Sequence, residues 1–270
     1  MLMYDPDIVF DLFIHTYHQN LYESTSGLKD EYLTVAEIQI LFEGLTVRKL
    51  VVEDRSVTLK NVLEESADIA EKAINYNFQQ PESGDPSTLK IPIGARTYDH
   101  LRKLHLCNLL RQDFERETGT VYDLVVKTRF DLLYLSRPPW ILFLNNSFHF
   151  GYGATWGWPE DTFCVTTPLL MDTAYACRFL YLREMLANGT DGICAHGSLK
   201  YMIAKFKVII GPPAVNILCF RNTESVQYGG NYRFKYSLER LYDQIKDKGV
   251  MYDPVHVEHI KRTILDKNLQ

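Results

Sequence analysis

The sequence predicts an α/β protein, with a mostly parallel sheet covered by helices on both faces. Strand-forming segments alternate with segments of helical spacing, which is the pattern of that class. Three observations carry the expectation. Residues 47–53 (VRKLVVE) are rich in β-branched side chains and run into a polar turn at 54–56. Residues 59–76 then place Leu59, Val62, Leu63, Ile69, Ala73 and Ile74 at helical spacing. Residues 122–135 (YDLVVKTRFDLLYL) form a run of strand formers closed by Pro138 and Pro139.

Taken in order, residues 8–16 (IVFDLFIHT) are β-branched and aromatic and read as a buried strand, followed by the strand and helix just described. Residues 79–90 (QQPESGDPSTLK) hold two prolines, a glycine and several acidic or hydroxyl side chains, so they read as an exposed excursion within one domain. The spacing predicts a long helix over 95–117. Leu104, Cys107, Leu110 and Phe114 share one arc and Arg102, His105 and Gln112 the opposite one, and Gly119 is the stop signal. A short strand is expected at 162–167, helices at 173–187 and 196–206, and a short strand at 208–210 that ends at Gly211-Pro212-Pro213. Helices at 237–248 and 254–267 finish the chain, the latter with Asp253 as N-cap and Pro254 in the first turn. The expectation is a single domain over 1–270.

Composition narrows the function. At 270 residues with 46% hydrophobic side chains, the chain is long enough to bury a sizeable core. Its net charge of −5 gives no electrostatic case for nucleic acid or an anionic membrane. No apolar run reaches the roughly 18 residues of a spanning helix, and the acidic first residues do not resemble a secretory signal. The five cysteines are scattered singly, without C-x-x-C. They read as reduced thiols, and a cytoplasmic location follows as an expectation. The sequons at Asn145 and Asn188 read as chance occurrences in that setting.

The chemistry concentrates in 122–135. After Leu124-Val125-Val126, the expected strand sets Lys127, Arg129 and Asp131 at alternate positions, all facing one way. Ionisable groups on one strand face are expensive unless they stand at the strand's carboxyl end, which is where open α/β sheets bind ligands. An anionic diphosphate suits this set. Arg129 forks two oxygens, Lys127 adds a point charge, and Asp131 accepts a ribose hydroxyl or a divalent cation. The bland alternative is that these groups satisfy neighbours at an ordinary strand end.

YDLVVKTRFDLLYL resembles the YD-hydrophobic-x-R-x-R-x-D signature of small polysaccharide and capsular-type glycosyltransferases, whose relatives occur in bacteria and large DNA viruses. Other segments are similar to that family in the same order: Phe10–Tyr17 (FDLFIHTY) to its early His-Thr-Tyr strand, residues 96–110 to the helix before the R-x-D strand, Asp161-Thr162-Phe163 to its D-x-F strand entry, and residues 196–203 to its late helix. The likeness spans roughly residues 7–210. It implies a GT-A-like fold, a nucleotide-sugar donor (a UDP-sugar among the candidates), and transfer to a hydroxyl of a glycan acceptor. If the chain is viral, it also implies a place in the host cytoplasm. In such folds the carboxylate closing the middle strand commonly belongs to a D-x-D pair that holds Mn²⁺ or Mg²⁺. Here Arg129 takes the place of the first acid and leaves Asp131 as the one metal ligand of that motif. Two features differ from the family pattern: no Gly-x-x-Arg turn precedes the His-Thr-Tyr strand, and position 198 is Ser where the family commonly has Glu.

Further candidates follow. His15 and Thr16 end the first strand, where the base or ribose would lie in this fold class; a capping pair is the alternative. Asp54 follows the second strand and can accept a base N–H or a ribose hydroxyl, or be a turn Asp. Arg102 on the polar arc of the long helix is a candidate for phosphate, or a solvated helix Arg. The segment 151–161 (GYGATWGWPED) is the most unusual loop. Trp156 and Trp158 suit a sugar platform, and Asp161 or Glu160 suits the base that deprotonates an acceptor in an inverting reaction. A packed loop is the alternative. His196 is a further base or phosphate candidate, with His149 and Asp172 weaker. The competing function is a carbohydrate- or nucleotide-binding protein that keeps the fold without catalysis. A phosphatase or kinase is disfavoured because neither a P-loop nor Gly-x-Gly-x-x-Gly occurs.

Overall fold

The computed structural model describes residues 8–17, 34–40, 42–69, 93–129, 132–134, 138–152, 161–189, 194–212, 215–220, 225–228 and 232–235. The expected excursion at 79–90, both C-terminal helices, and Asp131, Trp156, Trp158 and Glu160 lie outside the described residues. The chain divides into two compact units. One is drawn from Val9–Tyr122 and Leu169–Lys207, the other from Met1–Ile8, Asp123–Pro168 and Val208–Gln270.

In the first unit, β1 (Leu12–Tyr17) pairs in parallel with β2 (Val47–Glu53), in a register that sets Tyr17 opposite Glu53. Between them stands α1 (Val35–Ile40), opened by a capping box. The Glu37 N–H donates to Thr34 Oγ1 at 3.2 Å, and Thr34 N–H donates to Glu37 Oε2 at 2.7 Å. After β2 comes α2 (Arg55–Glu65), then α3 (Ile93–Thr118), which continues one residue or two beyond the limits its spacing predicts.

Helix α3 is packed on two opposite sides, not on one. Toward the strands, Phe114 meets Phe13 edge-on at 5.7 Å and Cys107 donates to the Phe13 carbonyl at 3.1 Å. On the other side, Ala95, Tyr98 and Leu101 join Val62, Ile69, Cys177, Leu182, Met185 and Met202 in a buried cluster. The arc expected to face solvent is occupied as well, because His105 stacks on Phe179 at 5.8 Å and Arg102 turns to β2. A helix used on both sides cannot show a single apolar stripe. Its buried Arg111 is matched to partners on both its own helix and the 171–175 turn: it binds Asn108 at 3.1 Å, Glu115 at 2.5 Å, and Asp172.

The rest of this unit is helical. Residues 171–181 wind through a wide π turn (Met171–Tyr175) and a 3₁₀ segment (Ala176–Tyr181) into α4 (Leu182–Ala187). Gly189, at φ 63°, follows the end of α4 as its sequence signals. Helix α5 (Ala195–Phe206) starts at Cys194, whose sulfur accepts the Gly197 N–H at 3.2 Å, and ends on Lys207 at φ 51°.

The second unit holds a mixed sheet: β3 (Val125–Lys127), β4 (Leu132–Tyr134), β5 (Ser147–Tyr152), β6 (Cys164–Thr166), β7 (Ile209–Ile210), β8 (Val215–Phe220), β9 (Ser225–Tyr228) and β10 (Tyr232–Lys235). Its order is β10-β9-β8-β5-β6-β3, with β4 beside β8 and β7 beside β5. Two expectations are corrected here. Residues 122–135 are not one strand: β3 runs antiparallel to β6, whereas β4 runs antiparallel to β8. Nor is the sheet mostly parallel, since among the described residues only β5–β7 and β5–β8 pair in parallel in this unit. The helix and strand content of an α/β chain is present, with parallel pairing confined to these contacts and β1–β2. Phe143, Phe148, Phe163, Cys164 and Val165 fill the interior of this unit.

Candidate functional site at the ends of the parallel strands

Side chains alternate along a strand, so Phe13, His15 and Tyr17 of β1 share the face that meets α3, as do Lys49 and Glu53 of β2. The contacts run in opposite senses along the elements. Lys49 reaches Glu117 at 2.7 Å late in the helix, and Glu53 reaches Arg102 early in it. Helix α3 is thereby antiparallel to both strands, and its early turns lie over the strands' carboxyl ends. That end of an open parallel arrangement is where ligands bind in α/β proteins.

Six polar side chains converge there. Arg102 donates from Nη1 to Glu53 Oε2 at 3.0 Å and from Nη2 to Oε1 at 2.8 Å. His15 Nε2 lies 3.5 Å from Glu53 Oε1. The Tyr17 hydroxyl donates to Asp99 Oδ1 at 2.5 Å, and the Lys103 ammonium stands 3.1 Å over the Tyr17 ring and 3.4 Å from Asp99 Oδ2. The His15 side chain is only 3% exposed, and its Nδ1 is buried without a hydrogen-bond partner.

Burial sets the charge states. It lowers the His15 pKa, against the pull of the Glu53 carboxylate, so the ring is biased to neutral. Burial by itself raises Glu53, but hydrogen bonds from Arg102 and the neighbouring positive charge outweigh it and hold the carboxyl below its ordinary value. Burial and the bond to Asp99 drive the Tyr17 phenol well up. With His15 neutral, two carboxylates face two cations. The cluster is charge-balanced, and its chemistry is that of positioned donors and acceptors.

Of the residues the sequence singles out, His15 and Arg102 meet here. Arg102 is engaged with Glu53, which differs from a helix arginine extended toward phosphate. Thr16 Oγ1 lies 3.5 Å from the Tyr17 carbonyl. Asp54 is exposed and begins α2, accepting the Val57 N–H at 3.3 Å through Oδ1. His196 is exposed in the first turn of α5, and Asp172 pairs with Arg111. Sequence reasoning missed Glu53, Tyr17, Asp99 and Lys103. The available signal was that Glu53 and Tyr17 are polar groups closing apolar strands.

In the other unit, Lys127 ends β3 and its ammonium donates to the Asp161 carbonyl. Two residues the sequence assigns to donor and base therefore touch, through the backbone of the second. Asp161 is buried, Arg129 is half-buried two residues after Lys127, and Thr162 Oγ1 is buried with no hydrogen-bond partner. His149 is wholly buried in β5. Among the described residues no three His, Cys, Asp or Glu side chains are grouped to hold a metal ion.

Compared with protein-family models, curated proteins and solved structures, the chain finds no match. No helix among the described residues is long and apolar enough to cross a membrane.

Proposed function

We propose that this protein is a GT-A-like glycosyltransferase that moves a sugar from a nucleotide-diphosphate donor to a glycan hydroxyl. The observation that carries the reading is the His15–Glu53–Arg102 array at the carboxyl ends of β1 and β2. Glu53, fixed from two points by Arg102, is an acceptor of the kind that a base N–H or a ribose diol requires. His15, held neutral, donates or accepts without bringing charge. A charge-balanced cluster suits a nucleoside better than a diphosphate.

By the resemblance of the 122–135 segment, Lys127 and Arg129 are assigned the charge of the departing diphosphate on chemical grounds. Asp161, or Glu160 beside it, is assigned the proton of the acceptor hydroxyl, with His196 a further candidate base. Trp156 and Trp158 are assigned the acceptor sugar. Asp131 is the residue that would hold Mn²⁺ or Mg²⁺.

The test is a panel of nucleotide-sugars incubated with the purified protein, with release of nucleoside diphosphate as the readout. Parallel arms use Glu53→Gln and Arg129→Ala. Turnover of one donor, weakened in KM by Glu53→Gln and in kcat by Arg129→Ala, supports the proposal. Saturable binding without turnover turns the reading into that of a non-catalytic binding protein. No binding of any nucleotide-sugar ends it.

A further inference from the structure

Among the described residues, Arg178 is the largest side chain that is fully buried. It stands in the 3₁₀ segment before α4 and reaches the first turn of α5. Its Nε donates to the Tyr175 carbonyl at 2.8 Å. Its Nη1 donates to the Ala195 carbonyl at 2.9 Å and lies 3.4 Å from Ser198 Oγ. The guanidinium carbon is 4.3 Å from the centre of the Tyr175 ring. Nη2 is buried with no hydrogen-bond partner, and among the described residues no carboxylate pairs with the group.

An arginine keeps its charge wherever it is placed. A carboxyl or an imidazole meets burial by changing its protonation, whereas a guanidinium has to be matched. Two carbonyls, a hydroxyl and a ring face each bring Arg178 a partial negative charge, and none brings a whole one. The turn it reaches adds to the excess. Helix α5 is twelve residues long, and its start carries the positive end of the helix dipole. That first turn holds no acid, and its cap is the Cys194 sulfur, a weak acceptor where helices ordinarily begin on an oxygen. Ser198 Oγ directs its own proton to the Ala195 carbonyl at 2.7 Å. Two independent sources of positive charge therefore meet at one turn, and no described side chain supplies the anion.

We infer that Arg178 and the first turn of α5 form a site for one phosphate group. The unmatched Nη2 is its direct donor, and the helix start behind it adds the field that favours oxyanions at such ends. A phosphate group carries more than one negative charge near neutral pH, so it answers the guanidinium and the dipole together, as a single carboxylate does not. Entry is from the solvent side of the turn, where Cys194 and Ala195 are half-buried and His196 is exposed. Arg178, Cys194 and Ser198 all belong to one compact unit. They are not part of the His15–Glu53–Arg102 array, so the inference does not rest on the nucleotide-sugar reading.

The test titrates inorganic phosphate into the purified protein, with sodium chloride holding the ionic strength constant. The melting temperature should rise saturably, by about 2–5 °C once phosphate exceeds its Kd tenfold. Arg178→Met should lose the response. Ser198→Asp should lose it too, because it sets a carboxylate of the chain beside the guanidinium. General exclusion of phosphate from protein surfaces would raise all three melting temperatures alike and without saturation, and that outcome overturns the inference. A second readout needs no variant: in wild type isotope-labelled at arginine, the side-chain NMR signal of Arg178 should shift along the same curve. A parallel titration with glycerol phosphate separates the sources. A response to both compounds assigns the site to a phosphate ester, and a response to inorganic phosphate alone assigns it to the free ion; either supports the site. An Arg178 signal that phosphate does not move overturns it.

Discussion

Arg102 on α3 grips Glu53 at the end of β2 through both Nη atoms, at 3.0 and 2.8 Å, and the two residues are separated by 49 positions in the chain. This is the planar fork-to-fork geometry that only an arginine gives a carboxylate. Both side chains are mostly buried, so each depends on the other for solvation that water no longer supplies. Replacing Arg102 with Ala strands a carboxylate, and the expected loss is about 1–3 kcal/mol. Removing both charges in the Arg102→Ala/Glu53→Ala pair should cost less than the sum of the single losses, because neither is then stranded. Urea denaturation of the four proteins measures this. Strict additivity would mean the pair is not coupled.

The same cluster predicts an acid-sensitive fold. Burial lowers the His15 pKa from its ordinary 6.5, so as pH falls the unfolded chain takes up the proton before the folded chain does. The stabilisation is complete above 6.5 and is lost as pH falls through the lower, folded value. Glu53 acts in the same direction in a more acidic window, complete above its ordinary 4.5 and lost as its carboxyl is protonated. His15→Phe keeps a buried ring without a proton site, so its stability should decline less than wild type just below 6.5 and rejoin it in the more acidic fall. Denaturation midpoints across pH decide the matter. Parallel curves for the two proteins would remove His15 from the account.

Among the four cysteines whose surroundings are described, burial pushes the thiols of Cys107 and Cys177 up to about 11, while Cys164 is fully enclosed in β6. The thiolate is the reactive form, so burial protects Cys107 and Cys177 both by access and by chemistry, and Cys164 by access. Cys194, half-buried at the start of α5, should be the first of the four to be alkylated by a maleimide near neutral pH. Mass spectrometry of peptides over a time course reads the order. Labelling of Cys107 as fast as Cys194 would show that α3 parts from β1 far more readily than its packing implies.

How much of this was legible in the sequence depends on the range of the interaction. Strand β2 coincides with its sequence limits because its Val and Leu content is a local property, and α3 was visible as a long helix for the same reason. What periodicity could not supply was the second side of α3. An arc holding Arg102 and His105 looks solvated until Glu53 and Phe179, remote in the chain, are brought against it. The segment 122–135 misled in the opposite way. Its strand formers run on without a break, but the chain leaves β3 after Lys127, and β4 pairs with β8. No local signal marks that exit, since the pairing partners Cys164 and Cys219 lie far downstream. His15 was visible as a polar group ending an apolar strand. Its partner Glu53 carried the same mark at the end of VRKLVVE and was passed over.

Gly211 is the sharpest test of the packing around β5. A Cβ added there would lie 2.2 Å from His149 Cε1, 2.6 Å from Nδ1 and 2.9 Å from Nε2, so the methyl of Gly211→Ala falls on the face of the ring. The ring cannot swing aside freely, because Pro212 and Asn145 hold its two nitrogens and Phe143 lies against it. The backbone cannot yield easily either, since the Gly211 N–H is bonded to the Phe148 carbonyl. The expected cost is that of an overpacked interior, about 1–3 kcal/mol. Truncating the ring removes the clash, so in a His149→Ala background the Gly211→Ala change should cost much less than it does in wild type. Thermal or urea unfolding of the single and double variants measures both numbers. An equal cost in the two backgrounds would mean that the methyl is resisted by something other than the histidine ring.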